Sequence, residues 1–362
     1  MTTQIRSSFR RRRLTRIAAV AAIGAVAVTG LTAAAHSSAS HKSHKSHKSR
    51  KASHKVEGVR ADLRHGTLRL RGGDGGQRVA LRLKAGDPSR IQVDAGDNGS
   101  ADFTFDRADV RAITVRMGNG NDSARIDDAN GAFTDTIPTT VAGGPGNDSL
   151  EGGQVQVAAE NETFYGGPGN DLVDGGKGAD TAYLGAGDDT FRWDNGEGSD
   201  VVEGQDGVDT LEFNGSPGGE DVTLSANGGR LTFFRVQGNV TMDTNDVEVV
   251  DDNPIGGADN VTVNDLTGTD VTQTNIDLAF AFGSSFSDGI IDNVTVNATD
   301  GDDNIAIVGN GAGADVTGLA TAVSVTHADP NDTLSVNTLA GTDHVTTAGA
   351  FGMQVLVDGL AV

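Results

Sequence analysis

Gly166-Gly167-Pro168-Gly169-Asn170-Asp171-Leu172-Val173-Asp174 is followed without a gap by Gly175-Gly176-Lys177-Gly178-Ala179-Asp180-Thr181-Ala182-Tyr183, a second copy of the pattern Gly-Gly-x-Gly-x-Asp-x-apolar-x. Leu184 to Arg192 continues it in register, with Gly187 and Asp189 at the third-glycine and aspartate positions. After the insertion Trp193-Asp194 the pattern resumes as Asn195 to Glu203, carrying Gly198 and Asp200, and as Gly204 to Glu212, carrying Gly207 and Asp209. A further copy stands upstream at Gly143 to Glu151 with Asp148, and a degenerate one, Gly118-Asn119-Gly120-Asn121-Asp122, precedes it.

The spacing has a physical reading. Glycine tolerates positive φ, so six residues can curl tightly and aim several backbone carbonyls inward, where a hard cation takes oxygen ligands. The aspartate adds formal charge to that cage. The three residues after the glycine-rich stretch alternate as a very short strand does, turning Val173, Ala182, Phe191, Val202 or Leu211 to the inside. Composition alone also allows a glycine- and aspartate-rich linker. Copies at one fixed period, each with an apolar residue two places after its aspartate, argue against that.

On these residues the chain resembles the repeats-in-toxin (RTX), or haemolysin-type calcium-binding, repeat family. The resemblance implies an all-β fold: a parallel β-roll, or β-solenoid, of right-handed short-strand coils with Gly/Asp-rich calcium-binding turns. It implies Ca²⁺ as the bound ion, and turns two repeats apart that stack on one side and share it. Asp171 and Asp189 then lie together on one side, and Asp180 and Asp200 on the other. The implied metal set is Asp148; Gly166, Pro168, Gly169 and Asp171; Gly175, Gly178 and Asp180; Gly187 and Asp189; Gly198 and Asp200; Gly207 and Asp209. Asp122, Asp303 and Asp332 form a weaker group.

The 362 residues include 51 glycines, seven prolines and 4% aromatics, which suits stacked thin coils better than a compact globule. Cysteine is absent, so no disulfide staples the chain and bound calcium is the candidate substitute. Residues 1–35 read as an export signal, with Arg6, Arg10 to Arg13 and Arg16 ahead of an apolar run from Ile17 that ends in Ala33-Ala34-Ala35. An uncleaved membrane anchor is the alternative; after signal cleavage no stable membrane span is expected. The expected location is secreted, extracellular or associated with the cell wall.

Residues 36–55 repeat His-Lys-Ser and read as a disordered linker. Such a tract can also bind Zn²⁺ or Ni²⁺, or lie on an anionic cell-wall polymer. Charge is partitioned sharply along the chain. Residues 1–55 hold 12 Lys/Arg and no acids, residues 56–142 hold 12 against 13, and residues 143–362 hold 4 against 37, a formal charge of −33. That field opposes compaction unless cations bind, and it excludes nucleic acid as a partner of the region.

Residues 56–142 carry alternating apolar pairs such as Leu68/Leu70, Leu81/Leu83 and Ile113/Val115, and read as a solenoid-like segment capping the roll, with a small β-sandwich as the alternative. The calcium-binding roll spans 143–214. Residues 215–362 read as degenerate β-solenoid repeats: Asp259 to Asp270 aligns with Asp332 to Asp343, 73 residues later, and Gly301 to Ile307 repeats the opening. Whether those turns hold calcium or only turn the chain stays open.

No helix is expected after the signal, because the apolar period is two. No catalytic constellation stands out. Cysteine is missing, His65, His327 and His344 are far apart in the chain, and the acidic part offers only Lys177, Arg192, Arg230 and Arg235 as basic groups. Trp193, the only tryptophan, suits either sugar stacking or packing against a neighbouring coil. The reading is a non-enzymatic, exported calcium-binding repeat protein; a surface structural or adhesive protein that calcium only rigidifies is the alternative.

Overall fold

The alternation that follows each glycine-rich turn sets the fold. In the strand Leu172–Asp174 only Val173 points inward; in Thr190–Trp193 it is Phe191 and Trp193, and all three are fully buried. Residues on either side of them face out, as a two-residue side-chain period requires. The computed structural model describes residues 55–155 and 161–362. The expected signal at 1–35 and all of the 36–55 tract except Lys55 lie outside the described residues; Lys55 itself opens the first strand, Lys55–Val56.

Two long sheets, of 16 and 14 strands, take successive strands of the chain in turn and pair mostly in parallel. The repeats are the most regular part. Thr163 is in register with Thr181, and Leu172 with Thr190, so each coil there contains 18 residues, two nonapeptides. Thr181 pairs with Val201 and Thr190 with Thr210, a 20-residue coil that absorbs the insertion. This is the parallel β-roll that the resemblance to RTX repeats implies. One detail differs. In the larger sheet the strand runs on through the first glycines of the next turn, as in Glu162–Pro168 and Thr181–Ala186, where Gly167 pairs with Gly185.

The N-terminal segment belongs to the same sheets. Thr67–Arg71 pairs in parallel with Ala112–Arg116, which pairs with Thr139–Ala142, which pairs with Glu162–Pro168. Antiparallel strands close the start of both sheets: Lys55–Val56, Val59–Arg64 and Thr67–Arg71 in one, Arg78–Lys84, Asp87–Ala95 and Phe103–Asp106 in the other. Such hairpins cover the row of open N–H and C=O groups that a parallel edge presents. The single helical element among the described residues is a three-residue 3₁₀ turn, Arg107–Asp109.

Two antiparallel insertions interrupt the coils. Asp221–Asn227, Arg230–Arg235 and Val240–Asn245 form a meander inside the larger sheet, and Asn304–Gly309, Ala314–Thr317 and Ala322–Thr326 form one inside the smaller. The second insertion bears on where the C-terminal repeats fall. Asp259 and Asp332 do precede strands of one sheet, Asn260–Val263 and Thr333–Asn337, two coils apart. Asn304 lies in the other sheet, paired with His344, so the Asp303 turn sits on the opposite side of the roll from the Asp259 and Asp332 turns.

The core is a single ladder of inward residues between the sheets. Trp193 stacks on Phe213 at 4.0 Å and 2°, and Phe213 meets Phe233 across the roll at 4.3 Å. Trp193 is fully buried, donates its indole N–H to the Gly198 carbonyl at 2.8 Å, and so packs against neighbouring coils and offers no face to a sugar. The next rung after Phe213 is Asp252, with zero exposure and neither carboxylate oxygen partnered.

Candidate metal centres

The repeat aspartates line up as two rows, one along each side of the roll. In the first row, at turns leading from the larger to the smaller sheet, the N–H of each aspartate donates to the Oδ1 of the aspartate one coil on. Asp122 donates to Asp148 (2.7 Å), Asp148 to Asp171 (2.7 Å), Asp171 to Asp189 (2.7 Å) and Asp189 to Asp209 (2.9 Å). Gln77 begins this row by donating to Asp122 (2.6 Å), and Glu248 ends it by accepting from Asp209 (2.8 Å). In the second row Glu162 donates to Asp180 (2.6 Å) and Asp180 to Asp200 (2.8 Å). Asp171 with Asp189, and Asp180 with Asp200, are therefore the neighbouring pairs.

One oxygen of each carboxylate is thus used. The other, Oδ2 of Asp122, Asp148, Asp171, Asp180, Asp189, Asp200 and Asp209, is buried and has no hydrogen-bond partner. A buried, unpartnered carboxylate oxygen is expensive, and a row of them on parallel coils adds mutual repulsion. Burial first, and neighbouring carboxylates in most cases after it, push Asp148 up to about 6 and Asp171, Asp200 and Asp209 up to about 7; Asp122 and Asp189 are raised by burial too. Asp180 is raised by burial and by Asp200 and Glu162. A divalent cation against these oxygens removes both penalties, so the residues present fit the hard, oxygen-ligated ion that their spacing suggests.

The glycines divide the work of the turn. A Cβ on the first glycine would strike the orphan oxygen of its own turn: 2.5 Å from Asp171 Oδ2 at Gly166 and 3.0 Å from Asp180 Oδ2 at Gly175. The later glycines let coils approach. Gly187 has φ +136° and a Cβ there would lie 2.1 Å from the Gly169 carbonyl oxygen; at Gly207 and Gly198 the corresponding contacts, to Gly187 and Gly178, are 1.8 and 1.4 Å. The Gly166 and Pro168 carbonyls accept from Gly144 (2.9 Å) and Gly146 (2.8 Å) in the adjoining coil. Each retains a second lone pair.

The C-terminal turns differ. Glu220 donates to Asp259 (2.7 Å), Asp259 to Asp292 (2.8 Å) and Asp292 to Asp332 (2.9 Å), a row on the same side as Asp180 and Asp200. Asp332 Oδ2 accepts from the Asp329 N–H at 2.5 Å, and Asp303 accepts from the Thr299 N–H and hydroxyl, at 3.0–3.1 Å. Among the described residues no buried side-chain oxygen past Asp252 lacks a partner. The four basic residues of the acidic region are all engaged: Lys177 with the Gly196 carbonyl, Arg192 with Glu212, Arg230 with Glu203 and Asp243, and Arg235 with Glu220.

The spacing left several row members unread. Glu162 takes the aspartate position one coil before Asp180, with both oxygens buried and unpartnered; the Glu-Thr-apolar run at 162–164 mirrors Asp-Thr-apolar at 180–182. Asp292 was open to view, since Asp292-Asn293-Val294-Thr295-Val296-Asn297 repeats Asp259 to Asn264 letter for letter. Glu248 carries no local signal.

Stacked Gly/Asp turns with orphaned carboxylate oxygens define a cation-binding parallel β-roll. Residues 139–154, 158–191 and 196–215 match the RTX calcium-binding nonapeptide repeat, in four copies. The chain therefore carries RTX repeats, and calcium is the ion they imply. No match is found among curated proteins or among solved structures. Among the described residues no helix is long and apolar enough to cross a membrane.

Proposed function

We propose that this is an exported, non-enzymatic calcium-binding protein whose roll is assembled and held by Ca²⁺ in the turns of residues 143–214, flanked by the capping segment 56–142 and the coils of 215–362. The observation that carries the reading is the row of buried Oδ2 atoms without partners. The oxygens of Asp148, Asp171, Asp189 and Asp209 on one side, and of Asp180 and Asp200 on the other, are the ligands, with carbonyls of Gly166, Pro168, Gly169, Gly175, Gly178, Gly187, Gly198 and Gly207 beside them. Asp122 extends the first row. Asp303 and Asp332, whose carboxylates are satisfied locally, serve as turn residues.

Export follows from the arginine-led apolar run at 17–35 and from a fold suited to a calcium-rich medium. The basic tract 36–55 is the segment available to an anionic wall polymer, and the −33 charge beyond it turns nucleic acid away. An ion present at about ten times its dissociation constant adds roughly 1.4 kcal/mol per site to the folded state. Several sites together match a sizeable part of a domain's stability. Calorimetric titration of the purified chain with calcium, alongside Asp171→Asn and Asp180→Asn, tests this. Uptake of several ions, reduced in both variants, is expected; no heat of binding at millimolar calcium refutes it.

A further inference from the structure

The insertion Trp193-Asp194 gathers three carboxylates that the two turn rows do not use. Asp174, Asp194 and Glu197 each bring an oxygen within 4.8 Å of the others. Asp174 ends the strand Leu172–Asp174, and its Oδ1 accepts from the Gly176 N–H (3.0 Å) and from Gln154 (3.3 Å). Asp194 Oδ1 accepts from Asn214 (2.8 Å), and Glu197 Oε2 accepts from the Asp194 N–H (2.8 Å). One oxygen on each residue is left over. The decisive one belongs to Glu197, which is 7% exposed and whose Oε1 is buried without a partner.

Glu197 occupies the variable position between two turn glycines, where the preceding coil carries Lys177 with its ammonium turned to the Gly196 carbonyl. A side chain at such a position ordinarily points to water; this one is folded inward against Asp174. Burial and the Asp174 charge raise the Glu197 carboxyl, and burial and the Asp194 charge raise Asp174. Arg192, the cation acting on Asp174, is already paired with Glu212 at 2.7 Å.

We propose that Asp174, Asp194 and Glu197 form a separate site for a hard divalent cation of the calcium class, created by the insertion. The donors are all carboxylate oxygens, with no nitrogen or sulfur ligand, which favours Ca²⁺ over zinc or copper. Asp194 is exposed, so water completes the coordination shell from that side. The three carboxylates are distinct from the Gly-Gly-x-Gly-x-Asp aspartates, of which Asp200 is near enough for its charge to act on Glu197.

The test is a calcium count by calorimetry together with terbium luminescence excited through Trp193, the only tryptophan and the residue next to Asp194. In Asp194→Asn/Glu197→Gln the stoichiometry is expected to fall by one ion and tryptophan-sensitised terbium emission to drop. Asp171→Asn should lose uptake elsewhere and keep this emission. Stability gives a second readout with a change of sign: in chelator Glu197→Gln should resist urea better than the wild type, and in saturating calcium the advantage should vanish or reverse. Unchanged ion count in the folded double variant overturns the proposal. If that variant fails to fold, Asp174→Asn should likewise bind one ion fewer, and an unchanged count there overturns the proposal equally. Loss of one ion in the double variant with full uptake in Asp171→Asn would leave this site standing and sink the turn reading instead.

Discussion

Acidification should stabilise the metal-free roll and strip calcium from the loaded one. A carboxyl whose pKa is raised by folding binds its proton more tightly in the folded state. The stability that protonation contributes is therefore complete below the unfolded value, near 4, and is lost as pH rises through the folded value. For Asp171, Asp200 and Asp209 that upper limit is about 7, and for Asp148 about 6. Urea unfolding without calcium, followed by the fluorescence of fully buried Trp193, should thus give a midpoint that falls steadily from pH 4.5 to pH 7.5. Calcium takes only the ionised form, so its affinity runs the other way. Between pH 7.5 and 5.5 the ionised fraction of a carboxyl at pKa 7 drops about 25-fold, and that of one at 6 about fourfold. A site shared by Asp148 and Asp171 then weakens about 100-fold, whereas ordinary surface carboxylates would lose almost nothing over that range. Calorimetric titration at the two pH values measures the ratio. A metal-free midpoint that rises with pH, or a loss of affinity below about threefold, would show that the buried oxygens are not the ligands.

Three further substitutions probe the turns and the core. Gly198→Ala places a methyl 1.4 Å from the Gly178 carbonyl oxygen, so it should destabilise the calcium-loaded roll by about 3 kcal/mol or more, while Gly218→Ala, whose methyl meets nothing closer than 3.8 Å, should stay within about 0.5 kcal/mol. Equal urea midpoints for the two would refute the close stacking of coils. Asp252→Val, between Phe213 and Ile276 in the inner ladder, should stabilise the fold by about 2 kcal/mol at neutral pH, because it removes a fully buried carboxylate with no hydrogen bond. A loss of stability on urea unfolding would mean that Asp252 makes an interaction the fold needs.

The nonapeptide was legible because each of its positions answers a separate demand of the backbone. Even so, the first glycine's reason was hidden: a Cβ at Gly166 would meet both the Leu184 carbonyl of the adjoining coil and the carboxylate of Asp171 curling back over it, which spacing alone does not reveal. Glu162 and Glu248 escaped because a longer acid reaches the same oxygen position from a different letter. The hairpins had a signal that went unread: Gly228-Gly229 stands between the alternating strands Asp221–Asn227 and Arg230–Arg235, and such a pair at a turn favours antiparallel return. What no local pattern contains is the choice of sheet. Each insertion adds two strands, about 10 Å, to one sheet only. A single insertion would splay the roll; a second, in the opposite sheet and some 80 residues on, restores the match.

The first insertion also explains where the second turn row breaks. Strands Val240–Asn245 and Arg230–Arg235 come between the coil of Asp200 and that of Glu220, so the two carboxylates cannot stack. At the break the antiparallel return places Arg235 where a parallel coil would have brought another acid. Its guanidinium holds both oxygens of Glu220, lies 5.4 Å from the Trp193 ring and reaches the Gln237 carbonyl at 2.7 Å. Glu220 therefore has no orphaned oxygen, whereas Asp200, one step before the break, does. A planar cation with five donors satisfies a buried carboxylate fully, and a fixed one suffices where the row ends. The contrast separates two ways of building a negatively charged stack: at the break an antiparallel strand delivers Arg235 to Glu220, whereas from Asp122 to Asp209 the parallel coils that bring aspartates together leave one oxygen of each without a partner.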